Sequence, residues 1–273
     1  MTLDLSAILT LAGKEFRDRI RNRWVLAVAL VFTVFALVIA YFGGAQQGAV
    51  GFRSIEFTIA SLVSLVIYLI PLIALMLGFD AVVGERERGS LELLLSLPIT
   101  RFELLVGKYL GLAAALTLST LVGFGLVALV LAGQLGADAL PGYALFTFSS
   151  VLLGLAFLSL AVMLSVFARD RTRASGLAIA VWFFFVLIFD LLLLGALVVS
   201  AGQYGGEIFP WLLLLNPADV FRILNIFSLE EVRNLYGLAT VFPEAIAQPW
   251  ALSLVMLAWI ALPIALAAWR FRK

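Results

Sequence analysis

Six stretches of this chain are each long and apolar enough to cross a lipid bilayer, and no other feature narrows its fold as far. They cover 24–42, 58–79, 109–132, 143–168, 174–199 and 250–269. At about 1.5 Å of rise per residue, a helix of roughly 20 residues crosses a hydrocarbon core of about 30 Å. Lipid offers no partner to a backbone N–H or C=O, so a spanning segment closes its hydrogen bonds internally, as a helix does. The expected fold is an all-α polytopic membrane protein with six transmembrane helices, one domain over 1–273. Composition agrees: 64% of residues are hydrophobic and 13% charged, against about 45–50% and about 25% in soluble domains.

The charges that remain are sorted by side. Fifteen of the eighteen Lys and Arg residues fall before the first run, in the loop 85–108, after the fourth run and at the C-terminal end. Arg53, Arg222 and Arg233 lie in the alternate loops. Basic loops stay in the cytoplasm, so both termini and loop 85–108 are expected there. An even number of spans makes this self-consistent. Residues 5–23 read as an amphipathic interfacial helix lying along the membrane surface. Leu5, Ile8, Leu9, Ala12, Phe16 and Ile20 recur at helical spacing, with Lys14, Arg17, Asp18 and Arg21 elsewhere on the wheel.

Loop 85–108 is the longest charged interruption, with eight charged residues. Glu85, Arg86, Glu87 and Arg88 lead to Gly89, a residue suited to the left-handed conformation just past a helix end. Ser90 to Leu97 can form a short helix with Leu91, Leu94 and Leu95 on one face and Glu92 and Ser96 off it. Pro98 stops that helix, and Thr100 and Glu103 are spaced as a capping box for the next. The expectation is a short amphipathic helix across the ends of two spans, gripped by another protein through its leucines. Residues 85–88 are expected to hold the bend by local ion pairs.

The run Glu85-Arg-Glu-Arg-Gly-Ser-Leu-Glu92, then Leu97-Pro-Ile-Thr-Arg101, then Gly107-Lys108 resembles the first cytoplasmic loop of ABC-2 type transporter permeases. In that family the loop carries the coupling helix, which docks on the ATPase subunit. The resemblance implies a bacterial inner-membrane protein with ATPase-coupling roles for Glu85, Arg86, Glu87, Arg88, Gly89, Ser90, Leu91, Glu92, Leu94, Leu95 and Pro98. It implies a homodimer with a path lined mainly by the first, second and fifth spans, and ATP and Mg²⁺ held by a separate cytoplasmic ATPase dimer. Within the family, Leu215-Asn-Pro-Ala-Asp-Val-Phe-Arg222 together with the loop is most like permeases serving copper-site maturation of nitrous oxide reductase. That likeness implies a periplasmic β-helical partner. An ABC-2 exporter of a drug, lipid or polysaccharide is the main alternative, and a non-transporting membrane scaffold a further one.

Polar residues inside the spans are the remaining site candidates. Thr58, Ser61, Ser64 and Tyr68 fall near one face of the second span and line a polar path or hydrogen-bond to a neighbouring helix. Asp190 in the fifth span is a group in the path or outer gate, or a structural partner of Arg222 or a backbone group. Gly107, Gly111 and Ala115 are spaced for close helix approach. The outer region 200–248 reads as a re-entrant pair of short helices and a surface helix around 230–238. Trp211, Asn216, Asp219 and Arg222 are its candidate docking residues for a periplasmic partner.

Several functions are excluded. The chain has no Cys and no His, which removes thiol catalysis, Cys/His metal sites and the His-Glu-x-x-His motif. Gly107-Lys108 is followed by Tyr109, and position 102 is Phe, so the P-loop pattern fails. A non-catalytic subunit with no directly bound cofactor and no metal site is expected. Met76, Met163 and Met256 lie one each in the second, fourth and sixth spans, so soft copper finds no clustered thioethers within one protomer. Membrane lipid surrounds the chain. Its basic residues are confined to loops and its net charge is +1, which gives no basis for a nucleic-acid partner.

Overall fold

A computed structural model describes residues 4–42, 51, 55–136, 140–199, 209–227 and 248–272. Among these, the long elements are all helices, and six of them are long and apolar enough to cross a membrane. In order they are α1 (Leu5–Arg21), α2 (Trp24–Phe42), α3 (Ile55–Gly78), α4 (Val83–Glu87), α5 (Ser90–Leu95), α6 (Arg101–Leu135) and α7 (Leu140–Phe167). There follow α8 (Arg171–Phe183), α9 (Phe189–Val199), α10 (Phe209–Leu213), α11 (Pro217–Phe227) and α12 (Pro249–Arg272). A π-helical turn, Phe184–Ile188, joins α8 to α9, so the fifth span is one rod of two helices with a wider turn between them.

Helix α7 is the centre of the bundle. It packs on α3, α6, α11 and α12, and its span is the most enclosed of the six, whereas 171–199 is the least. Its small and hydroxylated positions allow this. Ser150 and Thr147 return their hydroxyls to carbonyls one turn back, so they sit in the core without an open hydrogen bond. At one end of the bundle, Phe32, Phe124, Tyr143, Phe146 and Phe221 form a chain of ring contacts linking α2, α6, α7 and α11.

The third span is longer than its apolar run. Helix α6 begins eight residues earlier than 109, at Arg101, because Thr100 and Glu103 close the capping box. Thr100 Oγ1 accepts from the Glu103 N–H at 3.1 Å, and Glu103 Oε2 accepts from the Thr100 N–H at 2.7 Å. Helix α1 starts on Asp4, whose carboxylate accepts from the Ser6 hydroxyl and from the Ser6 and Ala7 N–H groups. Those bonds hold its pKa below the usual carboxylate value.

Helix α1 lies on α6 at unusually close range. A Cβ at Gly111 would stand 2.6 Å from the Ala12 carbonyl oxygen and from Glu15 Cβ, and one at Gly107 would stand 2.7 Å from Leu11 Cβ. The small residues expected to let two spans approach thus admit α1 instead. The apolar stripe of α1 is divided. Ile8 is buried against α6, while Leu5, Leu9 and Ile20 are exposed.

Among the described residues, the segment between the fifth and sixth spans contains two short helices. Helix α10 is a single turn with Pro210 buried and Trp211 exposed, and α11 packs against α3, α7 and α12. The surface helix expected around 230–238 lies outside the described residues.

Candidate functional site: a charged hub behind a short helix

The segment after α3 turns twice within a dozen residues. The Ser165 hydroxyl of α7 accepts from the Val82 and Val83 N–H groups at 2.9 and 3.0 Å, satisfying donors at the start of α4. Gly89 takes φ = 70°, a left-handed turn that suits glycine, and sends the chain into α5. The Ser90 hydroxyl then bonds back to the Glu85 carboxylate, closing the bend between α4 and α5.

The charges of 85–88 do not pair with one another. Their partners are tertiary, which corrects the expectation of local ion pairs. Lys108, on α6 and buried, sits 2.9 Å from Glu85 Oε1 and 3.1 Å from Glu15 Oε2 of α1. Arg19 adds a second cation 3.3 Å from Glu15. Asp80 pairs with Arg171 at the start of α8 and, at 3.9 Å, with Arg88. Glu87 accepts from the Arg171 N–H at 2.7 Å, an anion at a helix N-terminus where the helix dipole favours it. Arg86 donates to the Ala168 carbonyl at 2.9 Å, capping the C-terminal end of α7. Arg101 does the same for α12 through the Phe271 carbonyl, also at 2.9 Å. Glu103 reaches the Asp4 N–H at 2.7 Å. The α4–α5 segment is therefore tied by polar contacts to α1, α6, α7 and α8.

This arrangement reassigns the leucines of α5. Leu91 is buried, and Leu94 and Leu95 are half-buried against the chain's own core. They were the face expected to meet another protein. The residues that face outward are Leu93, 73% exposed, and Leu97, 53% exposed, with Glu92 and Pro98 also exposed. A helical wheel groups residues by face but does not say which face turns inward.

At the opposite pole, Arg222 of α11 sits 3.0 Å from Asp190 of α9 and also pairs with Asp219. Of the two readings of Asp190, the structure contains the ion pair with Arg222. Asn216 donates to the Phe185 carbonyl in the π turn and to Asp219, both at 2.8 Å, and accepts from the Ala218 N–H at 3.0 Å. Asn216 and Asp219 are buried and spent on these contacts. That corrects their place on a docking surface: of the four candidates, only Trp211 is well exposed, and Arg222 is half-buried. A groove of about 320 Å³ opens beside Asp190 and Arg222. Ser64 and Tyr68 are exposed on the uncovered side of α3 and Ser61 is half-buried there. Trp182 of α8 donates to the Tyr68 carbonyl at 3.0 Å.

Sequence reasoning singled out Glu85 and Asp190 but missed Glu15, Asp80, Lys108 and Arg171 as members of clusters. The available signal for Asp80, Lys108 and Arg171 was that each is an ionisable residue near the border of an apolar run, where a charge needs a partner, and Glu15 carried no such signal.

Comparison with known proteins agrees with this architecture. Residues 9–273 match the family model described as ABC-2 family transporter protein. A protein of Stutzerimonas stutzeri named "Probable ABC transporter permease protein NosY" is 43% identical, with 98% of this chain and 99% of the relative covered. One of Pseudomonas aeruginosa with the same name is 44% identical at the same coverage. With six spans, a polar hub behind a short helix at one pole and these matches along nearly its whole length, the chain belongs to the ABC-2 family of transporter proteins, as a membrane-spanning permease.

Proposed function

We propose that this permease works as a homodimer that turns ATP hydrolysis on a separate cytoplasmic ATPase into movement of its spans, within a complex serving copper-site assembly of nitrous oxide reductase. Support for that setting is the 43% and 44% identity to permeases named NosY. The complex comprises a NosF-like ATPase dimer, which holds ATP and Mg²⁺, and a NosD-like β-helical protein in the periplasm. Both termini and α5 face the cytoplasm, as the distribution of basic residues supports.

The observation that carries this reading is the Lys108 bridge. One buried ammonium holds Glu85, next to the coupling helix, and Glu15, on the interfacial helix. A force on α5 therefore reaches α1 and α6 through short charge-assisted bonds rather than through a soft loop. Leu93 and Leu97 are the contacts offered to the ATPase. Burying a leucine contributes about 1.5–3 kcal/mol, so two of them are a substantial anchor.

At the outer pole, Asp190 with Ser61, Ser64 and Tyr68 of α3 forms the candidate gate and path, and Trp211 with Leu215 forms the accessible surface for the periplasmic partner. The cargo question is secondary in this reading. Movement of the spans is transmitted outward to a partner that holds the metal.

The test is complementation of a strain lacking its own permease. Wild type is expected to restore the copper centres of nitrous oxide reductase and to copurify with the ATPase. Leu93→Asp is expected to lose both while remaining folded in the membrane. Restored export of a drug, lipid or polysaccharide without any effect on the copper centres would overturn the assignment in favour of an exporter.

A further inference from the structure

Between α5, the turn after α7 and the end of α12 lies an open groove of about 540 Å³. Its lining carries four arginines, Arg86, Arg101, Arg169 and Arg270, and one carboxylate, Glu92. Two of the four are fixed in place. Arg86 donates two nitrogens to helix-terminal carbonyls, at 2.9 and 3.5 Å, Arg101 donates one, at 2.9 Å, and both side chains stay exposed to the groove. The other two are exposed, and among the described residues neither pairs with a carboxylate. The floor is apolar and continues onto Phe167, 48% exposed, at the end of a membrane span.

We propose that this groove binds the headgroup of an anionic phospholipid. The guanidiniums match phosphate oxygens in geometry and charge. Basic pockets between spans at the membrane surface take such headgroups, while the acyl chains run along adjoining apolar surface. An amphiphile satisfies both halves of the site at once. A carboxylate-bearing protein segment would use the arginines and leave the apolar run toward Phe167 without a partner. The lipid would brace the ends of α7 and α12 against α5. The proposal stands apart from the copper assignment, since it concerns any ABC-2 permease with this groove.

The test uses the full-length protein in detergent, titrated with phosphatidylglycerol or phosphatidylcholine, with the thermal midpoint as readout. Phosphatidylglycerol is expected to raise the midpoint and phosphatidylcholine is not. Each surface arginine is worth about a factor of five in anionic-lipid affinity. Arg169→Gln with Arg270→Gln is therefore expected to raise the phosphatidylglycerol concentration needed for a given midpoint shift about thirty-fold, with the lipid-free midpoint unchanged. Glu92→Gln, which removes the one opposing charge, is expected to lower that concentration several-fold, and this variant decides the matter if the double variant fails to fold. An equal response to both lipids, a phosphatidylglycerol response untouched by the substitutions, or a weaker one in Glu92→Gln overturns the proposal. So does an equal shift from glycerol 3-phosphate, which marks a free-phosphate site. Loss of ATPase copurification in the double variant with the lipid response intact marks a protein interface and overturns it too.

Discussion

Replacing Lys108 with Met separates the hub from every other feature of the fold. Lysine and methionine have similar length, so packing against α1 changes little, while one charge disappears. Lys108 is 7% exposed, and its partners Glu15 and Glu85 are 12% and 18% exposed. Removing one member of a buried ion pair leaves its partner charged and uncompensated, which costs about 3–5 kcal/mol. Here the cost falls at the low end, about 3 kcal/mol. Arg19 still faces Glu15, Ser90 still bonds Glu85, and a polar cleft of about 230 Å³ adjoins the cluster. For a chain of this size that is a fall of about 6–12 °C in thermal midpoint. Adding Glu15→Gln and Glu85→Gln to Lys108→Met removes the orphaned charges and is expected to return the midpoint to within about 1 kcal/mol of wild type. The assay is thermal unfolding of detergent-solubilised protein followed by size-exclusion chromatography, with ATPase activity of the reconstituted complex measured in parallel. The triple variant is expected to stay folded yet couple poorly, because neutral side chains no longer hold α1 to α4. A single variant as stable as wild type, or a triple variant no better than the single, would refute the account of the hub.

Leu93→Asp is expected to abolish copurification of the ATPase with no change in thermal midpoint, and Leu94→Asp to lower the midpoint by destabilising the packing beneath α5. Equal behaviour of the two in both assays would show that α5 has no inner and outer face. Gly111→Ala places a methyl 2.6 Å from the Ala12 carbonyl oxygen. Overpacking of this kind costs about 1–3 kcal/mol and is expected to loosen α1, read as faster proteolysis after Arg21. Asp219→Ala is expected to destabilise strongly, by about 3–5 kcal/mol, because it strips a buried pair, whereas Asp190→Asn in the half-open groove costs about 0–1 kcal/mol and tests the gate through activity alone. The purified permease is expected to show no stoichiometric tight Cu(I) site by competition titration. A tight site lost on replacing Met76, Met163 or Met256 by Leu would reverse this.

The parts of the fold that were legible in the sequence are those set by neighbours along the chain. Apolar run length located the spans, and the second span, with its internal Pro71, remains one helix. Thr100 and Glu103 marked the start of α6 because capping is local, and Gly89 marked the bend for the same reason. The hub was not legible. Lys108 meets Glu15 across 93 positions, and no spacing rule links α1 to the start of the third span. Asn216 and Asp219 show the related limit. Their polarity in an apolar stretch flagged them as important, but polarity does not say whether the partner is the same chain or another one. Here the π turn of the fifth span supplies the partner of Asn216, and Arg222 supplies that of Asp219.

That π turn also fixes an angular relation. An α-helix advances about 100° per residue, and a π turn accommodates roughly one additional residue without changing the helix direction. The halves of the fifth span before Phe184 and after Ile188 are thus rotated relative to each other by about 100° from what one continuous α-helix would give. Asp190 owes its bearing toward Arg222 to that offset. Deleting a single residue from 184–188 would restore one continuous α-helix with Asp190 still facing Arg222, whereas tightening the π turn into α-helix at constant length would carry Asp190 about 100° around the rod and present a different strip of α9 to the groove, with every residue of α9 itself unchanged.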